Sequence, residues 1–368
     1  MYTAGNRPKK TQKDDNRPER MTEIRKGRRA PMKEIPVFEK SLERTLIQEL
    51  SDSYGNNQIF MKRDDFVPFS FGGNKARKAA EFYREIKREA PDVVMTYGSN
   101  SSNHCRIIAN MAAGMGLACH IISPEENRER LHNTRLVQDF GAIIETCPVT
   151  KVAETIENRK AAYREDGKTP YFIAGGGHGN CGTEAYVKAY REIETYEKEK
   201  NIYFDYIFHA SGTGTTQAGL VCGSLLAGGG KRTIVGISIA REAERGRSVV
   251  KESIREYLGA RFHDLYKEEC LLFTDAYRCG GYGCYTKEVT ETIEAVMKRE
   301  GIAMDTTYVG KAFRGMLSYL ADNDIRNKKA LFVHTGGGPL FFDGLDKGVL
   351  FADDSDENAA YAAKQEEI

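Results

Sequence analysis

Lys75 follows Gly72, Gly73 and Asn74 in the stretch Phe71–Ala79 (FGGNKARKA) and opens a predicted helix. A lysine held on a rigid first turn can form a Schiff base with a carbonyl compound rather than a salt bridge. Gly72 and Gly73 permit positive φ and let the backbone approach a flat ligand. Asn74 is placed to cap the helix, whose apolar Ala76, Ala79, Tyr83 and Ile86 recur at helical spacing on one face. Such a lysine needs a depressed pKa, from desolvation or a neighbouring cation, and Arg77 and Lys78 stand close in sequence. A solvated Lys-Ala-Arg-Lys helix start would account for the same pattern, so the reading depends on the rest of the chain.

Three other loops carry chemistry. Gly98–His104 (GSNSSNH) is a run of small polar residues leading into a helix. Ser102 or Asn103 can cap that helix, whose free N–H groups suit a carboxylate. Ser211–Gly219 (SGTGTTQAG) lies between a strand and a helix, the arrangement that cradles a phosphate with backbone N–H groups. It is not a nucleotide P-loop, because Leu220 and Val221 stand where Lys and Ser/Thr are required, and Gln217 breaks the dinucleotide GxGxxG pattern. His334–Pro339 (HTGGGP) offers the neutral Thr335 hydroxyl at a strand's carboxyl end; His334 reads as structural.

The elements that must position these loops alternate. Predicted strands are Val93–Tyr97, Ala118–Ile122, Ile143–Thr146, Tyr171–Ala174, Tyr206–Ala210, Thr233–Ile239, Leu271–Phe273 and Ala330–His334, with amphipathic stretches between most of them. This pattern implies parallel α/β units that bind ligands beyond the carboxyl ends of strands. At 368 residues the chain exceeds the usual size of a single core, so two domains are expected. A net charge of +1 argues against a nucleic-acid partner. The eight cysteines include no CxxC pair, which suits free thiols in a reducing compartment and no metal site. No apolar run is long enough to cross a membrane, and the N-terminus lacks the apolar core of a signal peptide. Residues 1–33 are basic and read as a disordered extension, with Met21 and Met32 as possible later starts; 351–368 reads as an acidic surface tail.

Together the Phe71–Lys78 stretch, Ser102–His104, Ser211–Thr215, Gly281–Gly283, Tyr308–Lys311 and His334–Gly337 resemble fold-type II pyridoxal phosphate (PLP) enzymes. The group is that of D-cysteine desulfhydrase and 1-aminocyclopropane-1-carboxylate (ACC) deaminase. The resemblance runs from Phe60 to Phe342 with order and spacing kept; the Pro-Thr-Pro-Leu segment common in the group is missing near Pro36–Leu50. It implies a tryptophan synthase β-like α/β fold, with two open, twisted, mostly parallel domains and PLP in the cleft. The large domain would comprise 34–77 plus 183–350, and the small mobile one 78–182. The resemblance further implies that Lys75 carries PLP, with Asn74 among its contacts. Lys78 and the backbone of Ser211, Gly212, Thr213, Gly214 and Thr215 would bind the phosphate, and Asn103 the ring 3′ oxygen. Ser102, Asn103 and His104 would receive the substrate carboxylate. Tyr282 and Tyr308 would face the reacting carbon and leaving group, with Ser102 and Lys75 completing the catalytic set.

One position discriminates within the group. ACC deaminase-like members carry Glu just after the second tyrosine, where this chain has Val309, which leaves Thr335 as partner of the ring nitrogen. An alcohol leaves that nitrogen largely unprotonated and favours prompt loss of a β-substituent over cyclopropane opening. His104 also follows desulfhydrase-like members; deaminase-like ones have Gln. The expected reaction is therefore β-elimination from a small β-substituted amino acid, D-cysteine giving pyruvate, ammonia and sulfide, in a cytoplasmic homodimer. Other readings are a cysteate sulfo-lyase using Arg241 or Arg278, an ACC deaminase, a β-replacement synthase, and a silent PLP-binding protein.

Overall fold

A computed structural model describes residues 31–99, 101–125 and 131–351; the tail from residue 352, nearly all of the basic extension, and Asn100 of the Gly98–His104 loop lie outside them. The chain order is α1 (Pro36–Glu39), β1 (Ile47–Glu49), β2 (Gln58–Lys62), α2 (Asn74–Glu89), β3 (Val93–Tyr97), α3 (Asn103–Met115), β4 (Ala118–Pro124), α4 (His132–Asp139), β5 (Ile143–Cys147), α5 (Val152–Glu165) and β6 (Pro170–Ile173). It continues through α6 (Asn180–Lys200), β7 (Tyr206–Ser211), α7 (Thr215–Leu226), β8 (Thr233–Ser238), α8 (Ala243–Leu258), α9 (Phe262–Leu265), β9 (Leu272–Thr274), α10 (Lys287–Glu300), α11 (Val309–Asp322), β10 (Lys329–Val333) and α12 (Gly338–Asp346).

The strands form two sheets. One has the order β1-β2-β10-β7-β8-β9, parallel except for the antiparallel edge pair β1–β2; the other, β5-β4-β3-β6, is parallel throughout. Alternate side chains explain why the large sheet is covered on both faces. Phe60, Ile207, Ile234, Leu331 and Val333 join one core with α6 and α7, while Ile59, Met61, Phe208, Val235 and Phe332 join another with α10 and α11. On the small sheet Val94, Ile121 and Ile173 pack with Ala76, Ala79, Tyr83 and Ile86 of α2 and with Ile107, Ile108 and Met111 of α3.

All eight predicted strands are present, shifted by no more than a residue or two at their ends. The edge pair β1–β2 was not foreseen. The expected domain boundaries at 77/78 and 182/183 fall inside α2 and α6, two helices that pack against each other.

Candidate active site

Lys75 sits one residue inside α2, on a turn built by backbone contacts. Gly73 has φ 89°, and a Cβ there would lie 2.5 Å from the Thr335 carbonyl oxygen. The Gly73 N–H donates to Asp64 O (2.7 Å) and the Asn74 N–H to Thr335 O (3.0 Å), so the turn is clamped between two loops. Asn74 does not cap the helix. Gly73 takes the cap position, and Asn74, already helical, donates from Nδ2 to Thr216 Oγ1 (3.1 Å). Crowding by protein pushes the Lys75 ammonium down to about 8, although it hydrogen-bonds to Lys78. Lys78 is fully buried and held well below its ordinary value, by burial first and by Lys75 second. Arg77 contributes nothing there, because its guanidinium faces Asp64 and Glu192.

Lys78 Nζ donates to Thr215 Oγ1 (2.7 Å) and to Gly176 O (3.3 Å), joining α2 to the start of α7. Gly214, at φ 103°, precedes α7, whose first N–H groups have no side-chain cap. Gly176 closes this loop from the other side, since a Cβ on it would lie 2.5 Å from Thr213 Cγ2. Ser211 ends β7, and its hydroxyl is turned to Gln217 Oε1 (3.1 Å). The Gly212 carbonyl accepts from Arg241 (2.5 Å). A half-buried lysine and a fully buried one, neither lowered nor raised by a neighbouring carboxylate, beside an open helix N-terminus and glycine-lined backbone, make a donor set for a dianion that also bears an aldehyde. Pyridoxal phosphate fits that set: Lys75 would hold the aldehyde, and Lys78 with the loop Gly212–Thr215 the phosphate.

Ser102 caps α3, its Oγ accepting the Cys105 N–H (3.3 Å), which leaves the N–H groups of Asn103 and His104 at the helix end for an anion. The His104 imidazole points elsewhere. Its Nε2 lies 2.8 Å from Thr96 Oγ1, and that hydroxyl donates its proton to Ile173 O (2.8 Å). Nε2 must therefore carry the hydrogen, and with burial and both lysines holding its pKa well down, the ring is neutral. His104 thus offers a carboxylate its main-chain N–H, not its side chain. Asn103 Oδ1 accepts from Arg106 Nη1 (2.9 Å) and Asn133 Nδ2 (3.0 Å).

Tyr282 and Tyr308 share a hydrogen bond of 2.7 Å with rings edge to face. Tyr308 is held far above its ordinary pKa, by burial first and by Tyr282 next, so it is a neutral phenol; the Cys105 thiol of α3 also acts on it. Tyr282 is 45% exposed, at the rim. Lys311 fixes the Tyr282 loop by donating to Gly281 O (2.7 Å) and Ile239 O (3.2 Å). Val309 is buried in the core, and Thr335 is nearly so. Asp305, buried near this loop, accepts N–H bonds from Thr307 and Tyr308 in the turn before α11 and from Val309, the first residue of α11; burial raises it to about 6. His334 is buried against Ala303 O and the Gly336 N–H, the structural role expected of it. Among the described residues no His, Cys, Asp or Glu group could hold a metal, and none of the eight cysteines forms a disulfide.

Sequence reasoning missed Gly176, Thr216, Arg106, Asn133, Asp305 and Lys311. The Gly175–Gly177 run after β6 was the one legible signal among these. The others are ordinary residues whose importance comes from what the fold sets beside them.

The pyridoxal-phosphate dependent enzyme family model matches residues 42–336. A D-cysteine desulfhydrase of Serratia proteamaculans (strain 568) is 32% identical over 312 residues, covering 80% of this chain and 91% of that protein. A candidate 1-aminocyclopropane-1-carboxylate deaminase of Pyrococcus abyssi (strain GE5 / Orsay) is 31% identical over 294 residues, covering 77% and 86%. The crystal structure of an ACC deaminase homologue superposes with a TM-score of 0.74 at 30% identity, over 87% of this chain and 95% of that one. With the family model matching residues 42–336 and relatives above 30% identity covered over most of their length, this chain belongs to the pyridoxal-phosphate dependent enzymes of fold type II.

Proposed function

We propose that this enzyme catalyses β-elimination from D-cysteine, with water giving pyruvate, ammonia and hydrogen sulfide. The observation that carries the reading is the neutral setting at Thr335. Its carbonyl abuts Gly73 beside Lys75, Val309 is apolar, and the nearby Asp305 is occupied by three backbone N–H groups. A ring nitrogen facing an alcohol stays largely unprotonated, which suits prompt departure of a β-thiolate. When bound, the cofactor supplies an electron sink for the charge left at Cα.

The chain's own groups do the rest. The N–H groups of Asn103 and His104, with the Ser102 hydroxyl, hold the substrate carboxylate. Lys75 Nζ, deprotonated readily near pH 8, takes the Cα proton. Tyr308, a neutral phenol linked to Tyr282, donates its proton to the departing sulfur. Arg241 is tied to Gly212 O, and Arg278 to Ala240 O and Glu242, so neither is disposed toward the sulfonate of cysteate. In this reading residues 78–182 close on bound substrate and exclude water. The working unit is a cytoplasmic homodimer, which light scattering and cell fractionation test.

The decisive assay offers D-cysteine, L-cysteine, β-chloroalanine, cysteate and ACC to the purified enzyme. Equimolar sulfide and pyruvate from D-cysteine, abolished with the visible cofactor band in Lys75→Ala, is the expected result. Faster turnover of ACC would overturn the substrate assignment, and an active Lys75→Ala the role of the lysine.

A further inference from the structure

Arg106 lies on α3, almost fully buried, and no carboxylate among the described residues pairs with it. A buried guanidinium retained only for stability is normally matched by an acid. Instead it donates to Asn103 Oδ1 (2.9 Å), Asn133 Oδ1 (2.7 Å) and Ser70 O (2.9 Å), and its Nε has no partner. Burial lowers it to about 10, which leaves it cationic at neutral pH.

We propose that Arg106 is a positioning residue for the cofactor, one that orients the Asn103 amide and fixes the turn leading to Lys75; this rests on the reading that Asn103 meets the cofactor's ring oxygen. A guanidinium has donors and no acceptor, so the oxygen end of the Asn103 amide must face it. Asn133 Nδ2, itself held by Ser101 O (2.7 Å), fills the second lone pair of that oxygen. The Asn103 NH2 is thereby directed away from Arg106 as a donor, and a ring oxygen carrying negative charge requires a donor. The charge on Arg106 polarises the amide and strengthens that donor.

The second contact reaches Lys75 from the other side. Ser70 and Phe71 have φ of 46° and 59°, a left-handed turn that non-glycine residues rarely adopt. Arg106 binds the Ser70 carbonyl, and its guanidinium lies 5.5 Å from the Phe71 ring centroid. One side chain thus ties the substrate-carboxylate helix to the lysine turn.

The test is a pH titration of the visible absorption band in the holoenzyme, alongside cofactor dissociation constants from fluorescence. Losing a positive charge near the ring oxygen makes proton loss from the bound cofactor harder. Arg106→Met should move the midpoint up by about one pH unit and weaken cofactor binding roughly tenfold. In the Asn103→Ala background the further change from Arg106→Met should be much smaller. Arg106→Lys, which keeps a charged donor, covers the case of a Met variant that does not fold, and should hold the midpoint near that of the wild type. An unmoved midpoint in Arg106→Met overturns the proposal alone, as does an equal shift with and without Asn103 or a Lys variant shifted as far as Met. A wild-type protein without a visible band would overturn the reading at Lys75 and this proposal together.

Discussion

A lysine that reacts with an aldehyde must do so as the neutral amine, and Lys75 reaches that form at lower pH than an ordinary lysine. Burial lowers it to about 8, so the rate at which cofactor-free protein captures PLP should climb roughly tenfold per pH unit below 8 and level off above it. Stopped-flow absorbance across pH 6–11 reads this directly, and a rate still climbing past pH 10 would show an ordinary lysine. At Tyr308 the expectation concerns turnover rather than binding. Tyr308→Phe removes the proton offered to the leaving group and should cut kcat about 100-fold while the cofactor spectrum is kept. The setting of Lys75 between Asn74 and Lys78 was distinctive in the sequence, whereas that of His104 was not. Its identity suggested a carboxylate partner, but Thr96 on the neighbouring strand turns its imidazole inward.

The elements act through their ends. Three helix N-termini, those of α2, α3 and α7, converge because the strands before two of them run parallel within their sheets and release the chain at their carboxyl ends. Close backbone approach at these ends is what the glycines provide. Gly73→Ala would force both a strained φ and a 2.5 Å contact with Thr335 O, so a loss of about 1–3 kcal/mol is expected, with weaker cofactor binding. Denaturant melts with and without PLP separate the two effects; an unchanged midpoint would contradict the tight turn. Strands β3 to β10 were legible from apolar runs bounded by turn residues. The edge pair β1–β2 was not, because β1 is only three residues long and β2 is flanked by polar residues at both ends.

At the scale of the whole molecule, a buried ion network joins the large sheet to the helix that bears Lys75. Lys62 at the end of β2 and Arg77 on α2 pair with Asp64 and also with Glu192 on α6, and Thr45 and Tyr186 complete the hydrogen bonds of Asp64. Burial alone would raise the Asp64 carboxyl, but Arg77 and Lys62 hold it well below the usual carboxylate range. Its stabilising contribution is therefore present above the unfolded value near 4 and lost only as pH falls through the native one. Asp64→Asn leaves two buried cations undercompensated and should cost about 3–5 kcal/mol at neutral pH, with a flatter loss of stability in acid. Urea melts at pH 7 and about pH 2.5 test both parts; a variant as stable as the wild type at pH 7 would mean that the network does not anchor α2.

By itself the sequence determined the alternating α/β plan and marked out the Lys75 turn, the Gly/Thr loop and the tyrosine motifs, because each is written in local spacing: glycines before a helix, apolar runs of strand length, a Gly/Thr loop after a strand. The tertiary structure decided what those groups can do. It replaced Asn74 by Gly73 as the cap, turned the His104 imidazole inward to Thr96, turned Arg77 away to Asp64, and brought Gly176, Arg106 and Asn133 to the site. Each of these depends on which side chain from a distant segment arrives at hydrogen-bonding distance, and local spacing carries no record of that.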